Sequence, residues 1–290
     1  MNLKINAKQE VQRITSFLKQ VFKKQNINKA VIGLSGGIDS TTSLLLLTQM
    51  LDAKNIFVYH MPYFSRSTKM IDEIVKTTNI PESNYYLIPI KKAFDKLNEL
   101  INFKTSADTN LRATWEGRTP SEIKGEHAHR SGANSVSSDE NIRKGNIMAR
   151  VRMIVLFDQA KKHHALVCGT ENKSEHYLGY FTRFGDNASD FEPLRHLFKT
   201  QIFQLAQYLG APKEVINQPP TAGLWEKQTD EGEFGFTYKE ADQVLYYYFD
   251  KKISTHQITK MGYANAVKII DFVNKNKYKH NTPYQLYNLL

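Results

Sequence analysis

A glycine-rich turn between a predicted strand and a predicted helix constrains this chain more than any other feature. The apolar run at residues 30–34 predicts a buried strand, the run at 40–50 predicts a helix, and the sequence SGGIDS at 35–40 joins them. Two adjacent glycines can adopt positive φ and leave no Cβ between the backbone N–H groups and a ligand. The N-terminus of the following helix favours anions. The segment therefore predicts a phosphate-binding loop.

An acidic residue stands in this loop where the common phosphate loop, G-x-x-x-x-G-K-[ST], has its lysine. An aspartate beside phosphate groups requires a cation between them, and Mg²⁺ prefers oxygen ligands. We therefore predict that Asp39 binds Mg²⁺. In the alternative interpretation the segment is an ordinary turn in which Asp39 and Ser40 cap the helix.

Strands and helices alternate along the first half of the chain, which favours parallel strands joined by right-handed crossovers. We predict a single α/β domain over residues 1–290, Rossmann-like, with a mostly parallel sheet and helices on both faces. Ligands bind such sheets at the carboxyl ends of the strands near the switch point. Segment 169–175 is therefore expected beside loop 35–40. The predicted strands lie at 30–34, 56–59, 85–88 and 165–168, and the predicted helices at 5–23, 40–50, 66–77, about 142–156, 199–209, 238–250, 254–260 and 263–275.

Two further features complete this prediction. Residues 103–139 show no periodicity and are rich in polar residues, which predicts a mobile loop. Thr237 and Glu240 have the spacing of a capping box at the start of the helix at 238–250.

Composition limits the class of protein without choosing the ligand. A chain of 290 residues with 41% hydrophobic content can bury a full core, and its formal charge of +10 suits polyanionic ligands of any kind. No apolar run approaches the ~20 residues of a membrane span, and the N-terminus lacks a signal-peptide core. We expect a cytoplasmic protein. A single cysteine, Cys168, excludes an intrachain disulfide and lies in an apolar run that predicts burial.

Four more segments carry unusual residue choices, at 145–153, 169–175, 179–186 and 223–231. Together with the SGGIDS loop, and in this order, they resemble the ammonia-dependent NAD⁺ synthetases over residues 5–283. The loop alone resembles that of the wider ATP pyrophosphatases, which split ATP between its α- and β-phosphates. The resemblance implies an adenine nucleotide alpha-hydrolase-like fold, Mg²⁺ as cofactor, ATP as co-substrate and a homodimer with the dinucleotide site completed across the interface. The aromatic run at 245–249 is the part of the sequence that suggests such an interface.

The resemblance implies a reaction in two steps. The nicotinate carboxylate of deamido-NAD⁺ attacks the α-phosphate of ATP and releases pyrophosphate, and ammonia then displaces AMP to give NAD⁺. A free carboxylate is a poor acceptor for ammonia, whereas AMP leaves easily once its charge is neutralised. Because the synthetase pattern accounts for nearly the whole chain and the only thiol is presumed buried, we expect use of free ammonia and no glutaminase activity.

The resemblance also implies roles for individual residues. Asp39 and Glu175 match Mg²⁺ ligands. Asp186 is the residue to which we assign catalysis, because a carboxylate there can concentrate ammonium and accept its proton. The positions that match ATP-binding residues are Gly33, Leu34, Ser35, Gly36, Gly37, Ile38, Asp39, Ser40, Thr170, Lys199 and Thr221. The positions that match residues holding deamido-NAD⁺ are Arg150, Arg183, Asp190 and Lys279.

The sequence departs from the family pattern at three positions and leaves two other functions open. Met148 replaces a usual lysine, Lys227 a usual glycine, and His280 a frequent arginine. Related pyrophosphatases amidate or thiolate other acceptors, although thiolation usually needs cysteines beyond Cys168. A non-catalytic, basic nucleotide- or RNA-binding module would also explain the charge, but no RNA-binding motif is visible. We expect neither a nucleic-acid nor a membrane partner.

Overall fold

The computed structural model of the chain describes residues 3–64, 68–102, 133–225 and 228–281, with only the backbone of 133–138. Four parallel strands form a sheet in the order β3-β2-β1-β4. The chain moves outward from β1 to β2 and β3 and then returns to the other side of β1 as β4. This order places the switch point between β1 and β4 and confirms the predicted parallel α/β sheet. The strands are β1 (Ala30–Gly33), β2 (Ile56–His60), β3 (Tyr85–Leu87) and β4 (Leu166–Cys168).

Helices surround this sheet and continue beyond it to the C-terminus. Short 3₁₀ turns precede β2 and β3, and the helix at Tyr238–Leu245 continues into a π-helical turn at Tyr246–Asp250. A last 3₁₀ turn covers Lys277–His280. In chain order, the α-helices of the described residues are α1 (Ala7–Gln25), α2 (Ile38–Thr48), α3 (Lys69–Thr77), α4 (Lys91–Ile101), α5 (Ala133–His163), α6 (Lys173–Leu178), α7 (Lys199–Tyr208), α8 (Lys213–Asn217), α9 (Asp230–Phe234), α10 (Tyr238–Leu245), α11 (Thr255–Lys260) and α12 (Ala266–Asn276).

Alternate residues of the central strand face two separate cores. Ala30 and Ile32 pack with α1, α2, α3 and α7, whereas Val31 packs on the opposite face with α4 and α5. All three residues are fully buried. A strand covered on both faces needs an apolar residue at every position, which explains the continuous apolar run that predicted it. Helices therefore lie on both faces of the sheet, as expected.

A third core joins the C-terminal helices to α6, the helix that follows β4. Leu178 of α6 packs with Val244 of α10 and Ile269 of α12. The aromatic run at 245–249 belongs to this core, because Tyr247 is buried and its aromatic neighbours are packed against the cluster. The run therefore packs largely within the chain, and its contact with a partner stays a prediction.

Two local predictions need correction, the mobile loop at 103–139 and the capping box of α10. Helix α5 begins at Ala133, so the predicted mobile loop is wrong for 133–139, while 103–132 lie outside the described residues. The capping box of α10 is only half formed. Thr237 accepts a hydrogen bond from the Glu240 amide, but the Glu240 carboxylate accepts bonds from Asn265 instead of returning to Thr237. Within the described part of the chain, no helix combines the length and apolarity needed to cross a membrane.

Candidate active site

The SGGIDS loop turns sharply at Gly36, directly after β1. Gly36 has a φ of 87°, in the left-handed region that favours glycine, and a Cβ there would lie 2.7 Å from side-chain atoms of both Met70 and Ile71. Leu34 is buried, and its amide donates to the Tyr59 carbonyl at 2.9 Å, so this residue anchors the loop to the sheet. Position 36 therefore needs glycine, because its φ is positive and a Cβ there would clash with Met70 and Ile71.

Two serines hold the loop in shape. The hydroxyls of Ser35 and Ser40 share a hydrogen bond at 3.0 Å, and the Ser35 amide donates to Ser40 Oγ at 3.3 Å. Helix α2 begins after Gly37, and no side chain among the described residues caps it. The capping interpretation of Asp39 and Ser40 is therefore wrong. The first N–H groups of α2 are left to bind an anion.

Asp39 points to a buried lysine instead of the helix terminus. Lys199, the first residue of α7, places its Nζ 2.6 Å from Asp39 Oδ2 and 3.0 Å from Glu175 Oε1. The lysine side chain is only 3% exposed. The two residues predicted to bind Mg²⁺ therefore converge on one cationic atom, which the protein supplies itself.

The charges at this cluster are set by burial and by mutual attraction. Burial opposes a charge on Lys199, but Asp39 and Glu175 outweigh that effect and raise the lysine pKa above its ordinary value. Burial also raises the pKa of Glu175 to about 8, against the attraction of Lys199. Lys199 is therefore an ammonium group at neutral pH, and Asp39 at 2.6 Å is its principal counter-ion.

Segment 169–175 lies beside the phosphate loop, as the strand order requires. The Asn172 side-chain amide donates to Asp39 Oδ1 at 2.9 Å. Asn172 also forms a capping box with Glu175 at the start of α6, in which its Oδ1 accepts the Glu175 amide at 3.0 Å. One asparagine thus fixes both predicted metal ligands relative to each other. The sequence analysis did not predict this role. An asparagine before a helix is a common N-cap, but its contact with Asp39 depends on the fold.

Asp186 lies on the far side of Glu175, next to a small cavity of about 40 Å³ that Thr170 and Glu175 also line. Its Oδ1 accepts a hydrogen bond from the Thr182 amide at 2.7 Å. Asp186 is an exposed residue, but the protein around its carboxyl group raises the pKa of that group through desolvation. Three predicted site residues therefore share one cavity.

Three of the four residues assigned to the dinucleotide, Arg150, Arg183 and Lys279, form a second group around the turn at 179–183. Arg150 donates to the Arg183 carbonyl at 3.1 Å, and the Arg183 guanidinium lies over the rings of Phe184 and Tyr278. Lys279 donates to the carbonyls of the turn that contains Arg183. These three cations are thus close to one another.

Two other predicted residues have local structural contacts. Asp190 accepts the Val167 amide at 2.7 Å and so extends the edge of β4. Thr221 is exposed and accepts the Gly223 amide at 3.0 Å.

Two buried aspartates support the site and were missed by the sequence reasoning. Asp230, in the 223–231 segment, accepts hydrogen bonds from Tyr180, Ala222 and Tyr238 and lies near Lys199. Segment 223–231 has unusual residue choices, but nothing near Asp230 in the sequence indicates that its side chain is buried.

The second of these residues is Asp242 of α10. Its carboxylate accepts the Ser174 hydroxyl and, at 2.8 Å, the Thr200 amide, while Ser174 Oγ accepts the Lys199 amide at 2.8 Å. Asp242 therefore fixes the start of α7, and with it the base of the Lys199 side chain.

The departures from the family pattern are partly explained by packing. Met148 is buried in the core between α5 and the sheet, where a lysine would be unpaired. His280 lies edge-on to His176 with ring centroids 4.5 Å apart. Lys227 is outside the described residues. Cys168 is buried as predicted, and burial raises its thiol pKa.

A larger cavity, of about 1040 Å³, lies between the N-terminal segment and α10, away from the phosphate loop. None of the predicted site residues lines it. Within the described residues, no three His, Cys, Asp or Glu side chains converge as a metal site. The chemical groups predicted from sequence therefore gather at the smaller cavity and the Lys199 cluster.

Comparison with known proteins agrees with this arrangement. The sequence profile of the NAD synthase family matches residues 10–133 and 118–283. The NH(3)-dependent NAD(+) synthetase of Fusobacterium nucleatum subsp. nucleatum is 36% identical over 283 residues, which cover 97% of this chain and 96% of that protein. The enzyme of the same name from Thermococcus sibiricus is 31% identical, with 94% of each chain covered. Among solved structures, the chain is similar to NMN synthetase from Francisella tularensis, with a TM-score of 0.73, 28% identity and coverage of 97% and 99%.

Proposed function

Since the chain belongs to the NAD synthase family, we propose that it is a C–N ligase that amidates deamido-NAD⁺ to NAD⁺ with ATP and ammonia. The observation that carries this function is the nearly full-length similarity to enzymes named NH(3)-dependent NAD(+) synthetase. The products besides NAD⁺ are AMP and pyrophosphate. We further propose that the whole chain acts as a single domain.

In the first step, the phosphate loop binds ATP. The N–H groups at the start of α2 and around Gly36 bind phosphate oxygens, and the helix dipole favours their charge. The nicotinate carboxylate forms a bond to the α-phosphorus, and the bond to the β-phosphate oxygen breaks with its electron pair on pyrophosphate. Thr170, Lys199 and Thr221 are the other residues we assign to ATP. Lys199 can turn from the carboxylates to the phosphates as a point charge.

The residues present at this site fit Mg²⁺. Asp39 and Glu175 already converge on one cationic atom at 2.6 and 3.0 Å, and magnesium is commonly bound by one or two carboxylates together with substrate phosphates. When bound, Mg²⁺ neutralises phosphate charge and so improves pyrophosphate as a leaving group. We propose Asp39 and Glu175 as its protein ligands, with Lys199 displaced from between them.

In the second step, we propose that Asp186 binds ammonium and takes one of its protons. The ammonia nitrogen then forms a bond to the carboxyl carbon, and the bond from that carbon to the AMP oxygen breaks with its electrons on AMP. A further proton is lost from nitrogen as the amide forms. The supporting observation is the position of Asp186 at a cavity of about 40 Å³, which suits a molecule of water size.

We assign the dinucleotide to Arg150, Arg183, Asp190 and Lys279. The cluster of three cations suits a pyrophosphate group, which bears negative charge at neutral pH. A second candidate substrate follows from the similarity to a structure named NMN synthetase, namely nicotinate mononucleotide in place of the dinucleotide. Both acceptors carry the same nicotinate carboxylate, so the chemistry at Asp186 is unchanged.

The function is tested by pyrophosphate release and by product formation with purified protein, ATP and Mg²⁺. We expect pyrophosphate release with deamido-NAD⁺ and none with RNA, and NAD⁺ formation from ammonium chloride but only a trace from ammonia-free glutamine. Faster turnover of nicotinate mononucleotide than of deamido-NAD⁺ would favour the second candidate. Comparable rates with glutamine and ammonium would contradict the proposed ammonia dependence, and failure of both acceptors would contradict the function.

We propose that the enzyme is a homodimer that associates through α4 and α5. Leu97, Leu100 and Ile101 lie on one face of α4 and are exposed, as are Ile154 and Phe157 of α5, and the two helices are packed together. Light scattering should give the mass of a dimer, and Leu100→Glu should shift it toward a monomer. The matched control is Phe17→Glu on α1, another exposed aromatic or aliphatic position outside α4 and α5. A wild-type monomer would contradict the proposal.

The proposed substrates also suggest where the enzyme acts. ATP and dinucleotides are available in the cytoplasm, so we expect the protein in that compartment. Recovery of the protein in a membrane or secreted fraction would contradict this expectation.

A further inference from the structure

Asp230 holds the main chain on both sides of Thr221, a residue that we assign to ATP. Its backbone amide donates to the Pro220 carbonyl at 3.0 Å, and its Oδ1 accepts the Ala222 amide at 3.0 Å. Thr221 lies between these two residues and is exposed, and its Oγ1 accepts the Gly223 amide at 3.0 Å. One buried aspartate therefore determines where an exposed threonine lies.

Asp230 is itself fixed from the opposite side. The residue is 2% exposed, Tyr238 donates its hydroxyl to Oδ2 at 3.0 Å, and Tyr180 donates its hydroxyl to Oδ1 at 3.2 Å. Tyr238 belongs to the core of the C-terminal helices. Because a buried carboxylate is costly unless its oxygens accept hydrogen bonds, these donors hold Asp230 in one orientation. Segment 220–222 is thereby attached to that core.

The same tyrosine lies beside the second ATP-binding side chain. The Nζ of Lys199 is 5.2 Å from the centroid of the Tyr238 ring, a distance at which a cation and an aromatic ring attract each other. Tyr238 thus contacts Lys199 through its ring and Asp230 through its hydroxyl. These contacts relate Lys199 to Thr221 across two separate parts of the chain.

We propose that Asp230 is a positioning residue for ATP, which presents Thr221 to the nucleotide in a fixed relation to Lys199. Since its side chain is buried, Asp230 acts through segment 220–222 and not by contact with ATP. A segment that is already ordered binds without the entropy cost of ordering it. This inference rests on the proposed ATP-dependent amidation.

Steady-state kinetics of Asp230→Ala test the proposal. We expect the KM for ATP to rise about 10-fold, because the segment around Thr221 must then be ordered when ATP binds. The KM for ammonium should change by less than about twofold, and kcat at saturating ATP should fall by less than about threefold. A KM for ATP within about twofold of the wild-type value would overturn the proposal.

A double-mutant cycle with Thr221→Val shows whether Asp230 acts through Thr221. Thr221→Val alone should raise the KM for ATP, and adding Asp230→Ala to it should raise that KM by less than about twofold more, since the two changes remove one interaction. Independent effects that multiply in the double variant would overturn the proposal. So would an unchanged KM for ATP in Thr221→Val.

Asp230→Asn separates hydrogen bonding from charge. The asparagine Oδ1 can still accept the Ala222 amide, and the Tyr238 hydroxyl can accept a bond from the new side-chain amide. We therefore expect a KM for ATP within about threefold of the wild-type value. A rise as large as that in Asp230→Ala would show that the negative charge near Lys199 matters instead, and the positioning role would fail.

Glu240→Ala is the matched control, because Glu240 also accepts a backbone amide and a side-chain donor, both from Asn265. It lines the larger cavity, away from the phosphate loop. Its loss should lower stability and leave the KM for ATP within about twofold of the wild-type value. An equal rise in this control would overturn the proposal. Should Asp230→Ala fail to fold, Asp230→Ser, which keeps one short polar group for the tyrosines, replaces it in the cycle with the same expectations.

The wild-type assay separates this inference from the proposed function. If the wild-type protein releases no pyrophosphate with either acceptor, the proposed function fails before any variant is compared. If the wild type is active and the cycle shows independent effects, only the role of Asp230 fails.

Discussion

Two groups of carboxylates lie side by side after β4 and differ in how their charge is balanced. Asp39 and Glu175 share the ammonium group of Lys199, at 2.6 and 3.0 Å. Glu171 and Asp186 are residues of a cavity wall that contains no lysine or arginine of the described residues. In the first group one buried lysine bridges both carboxylates. In the second, Arg195 lies 3.3 Å from a Glu171 oxygen, whereas Asp186 accepts the neutral Thr182 amide. The difference suggests that the first position exchanges its cation during the reaction and the second receives one as substrate.

The largest expected effect comes from removing a negative charge from the first group, at Asp39 or Glu175. Asp39→Asn and Glu175→Gln keep the shape of each side chain but lose the charge that a divalent cation requires. Because such a cation supplies several kcal/mol of transition-state stabilisation, we expect kcat to fall at least ~10³-fold in each variant. The measurement is pyrophosphate release at saturating substrates.

Asp95→Asn is the control, since Asp95 pairs with Lys91 on the surface of α4. It should leave kcat within about twofold of the wild type, as expected for an exposed ion pair. Near wild-type turnover in Asp39→Asn or Glu175→Gln would contradict the metal assignment at that position.

Removing the internal cation should produce the next largest effect. Lys199→Met leaves two carboxylates close together without their partner, which should lower the free energy of unfolding by about 4 kcal/mol. In the absence of ATP, Mg²⁺ should then raise the melting temperature of this variant more than that of the wild type, because the metal no longer competes with the lysine.

Lys54→Met removes an exposed lysine paired with Asp52 and serves as the control. Its unfolding free energy should change by less than about 1 kcal/mol. The comparison fails if Mg²⁺ stabilises Lys199→Met no more than it stabilises the wild type.

The second group is tested by Asp186→Asn. We expect the KM for ammonium to rise about 10-fold and that for ATP to stay within about twofold, because only ammonium binding loses a charge-assisted contact. Raising the pH should reduce the defect, since free ammonia becomes more abundant. Equal increases in the two KM values would show that Asp186 acts through the general shape of the site.

The last prediction concerns Glu192, a carboxylate that bonds to the backbone of Glu171. Glu192 accepts the Glu171 amide and the Ser189 hydroxyl, and burial raises its pKa from 4.5 to about 8. A raised pKa in the folded state stabilises the protein fully below pH ~4.5, and this contribution is lost as the pH rises through about 8. The free energy of unfolding should therefore fall between pH 5 and 8 by about 3 kcal/mol more in the wild type than in Glu192→Gln. Urea unfolding measures it, and parallel pH profiles would contradict the assignment.

The strand, loop and helix around Gly36 could be predicted because their signals are local. A glycine pair and an apolar run of four or five residues are visible without knowledge of the rest of the chain. The proximity of segment 169–175 followed from strand order, which is a topological rule. These parts of the site depend on the backbone more than on individual side-chain contacts.

The partners of Lys199 and the burial of Glu171 could not be predicted in the same way. Lys199 and Asp39 are 160 residues apart, and nothing near either one specifies the pair. Glu171 lies in a polar stretch whose local sequence indicates exposure, yet its side chain is buried beside Arg195 and His176. The aromatic run at 245–249 shows the same limit, because nothing in its local sequence reveals that these residues pack against a core of the chain.

The order of the strands also determines when during synthesis this enzyme can become active. Asp39 leaves the ribosome 160 residues before Lys199, which corresponds to roughly 10–30 s at ordinary rates of translation. Throughout that interval the phosphate loop lacks its lysine, and for most of it β4 is also absent. A nascent chain can therefore begin to fold around β1 and β2 without consuming ATP, and a chain released early is inactive.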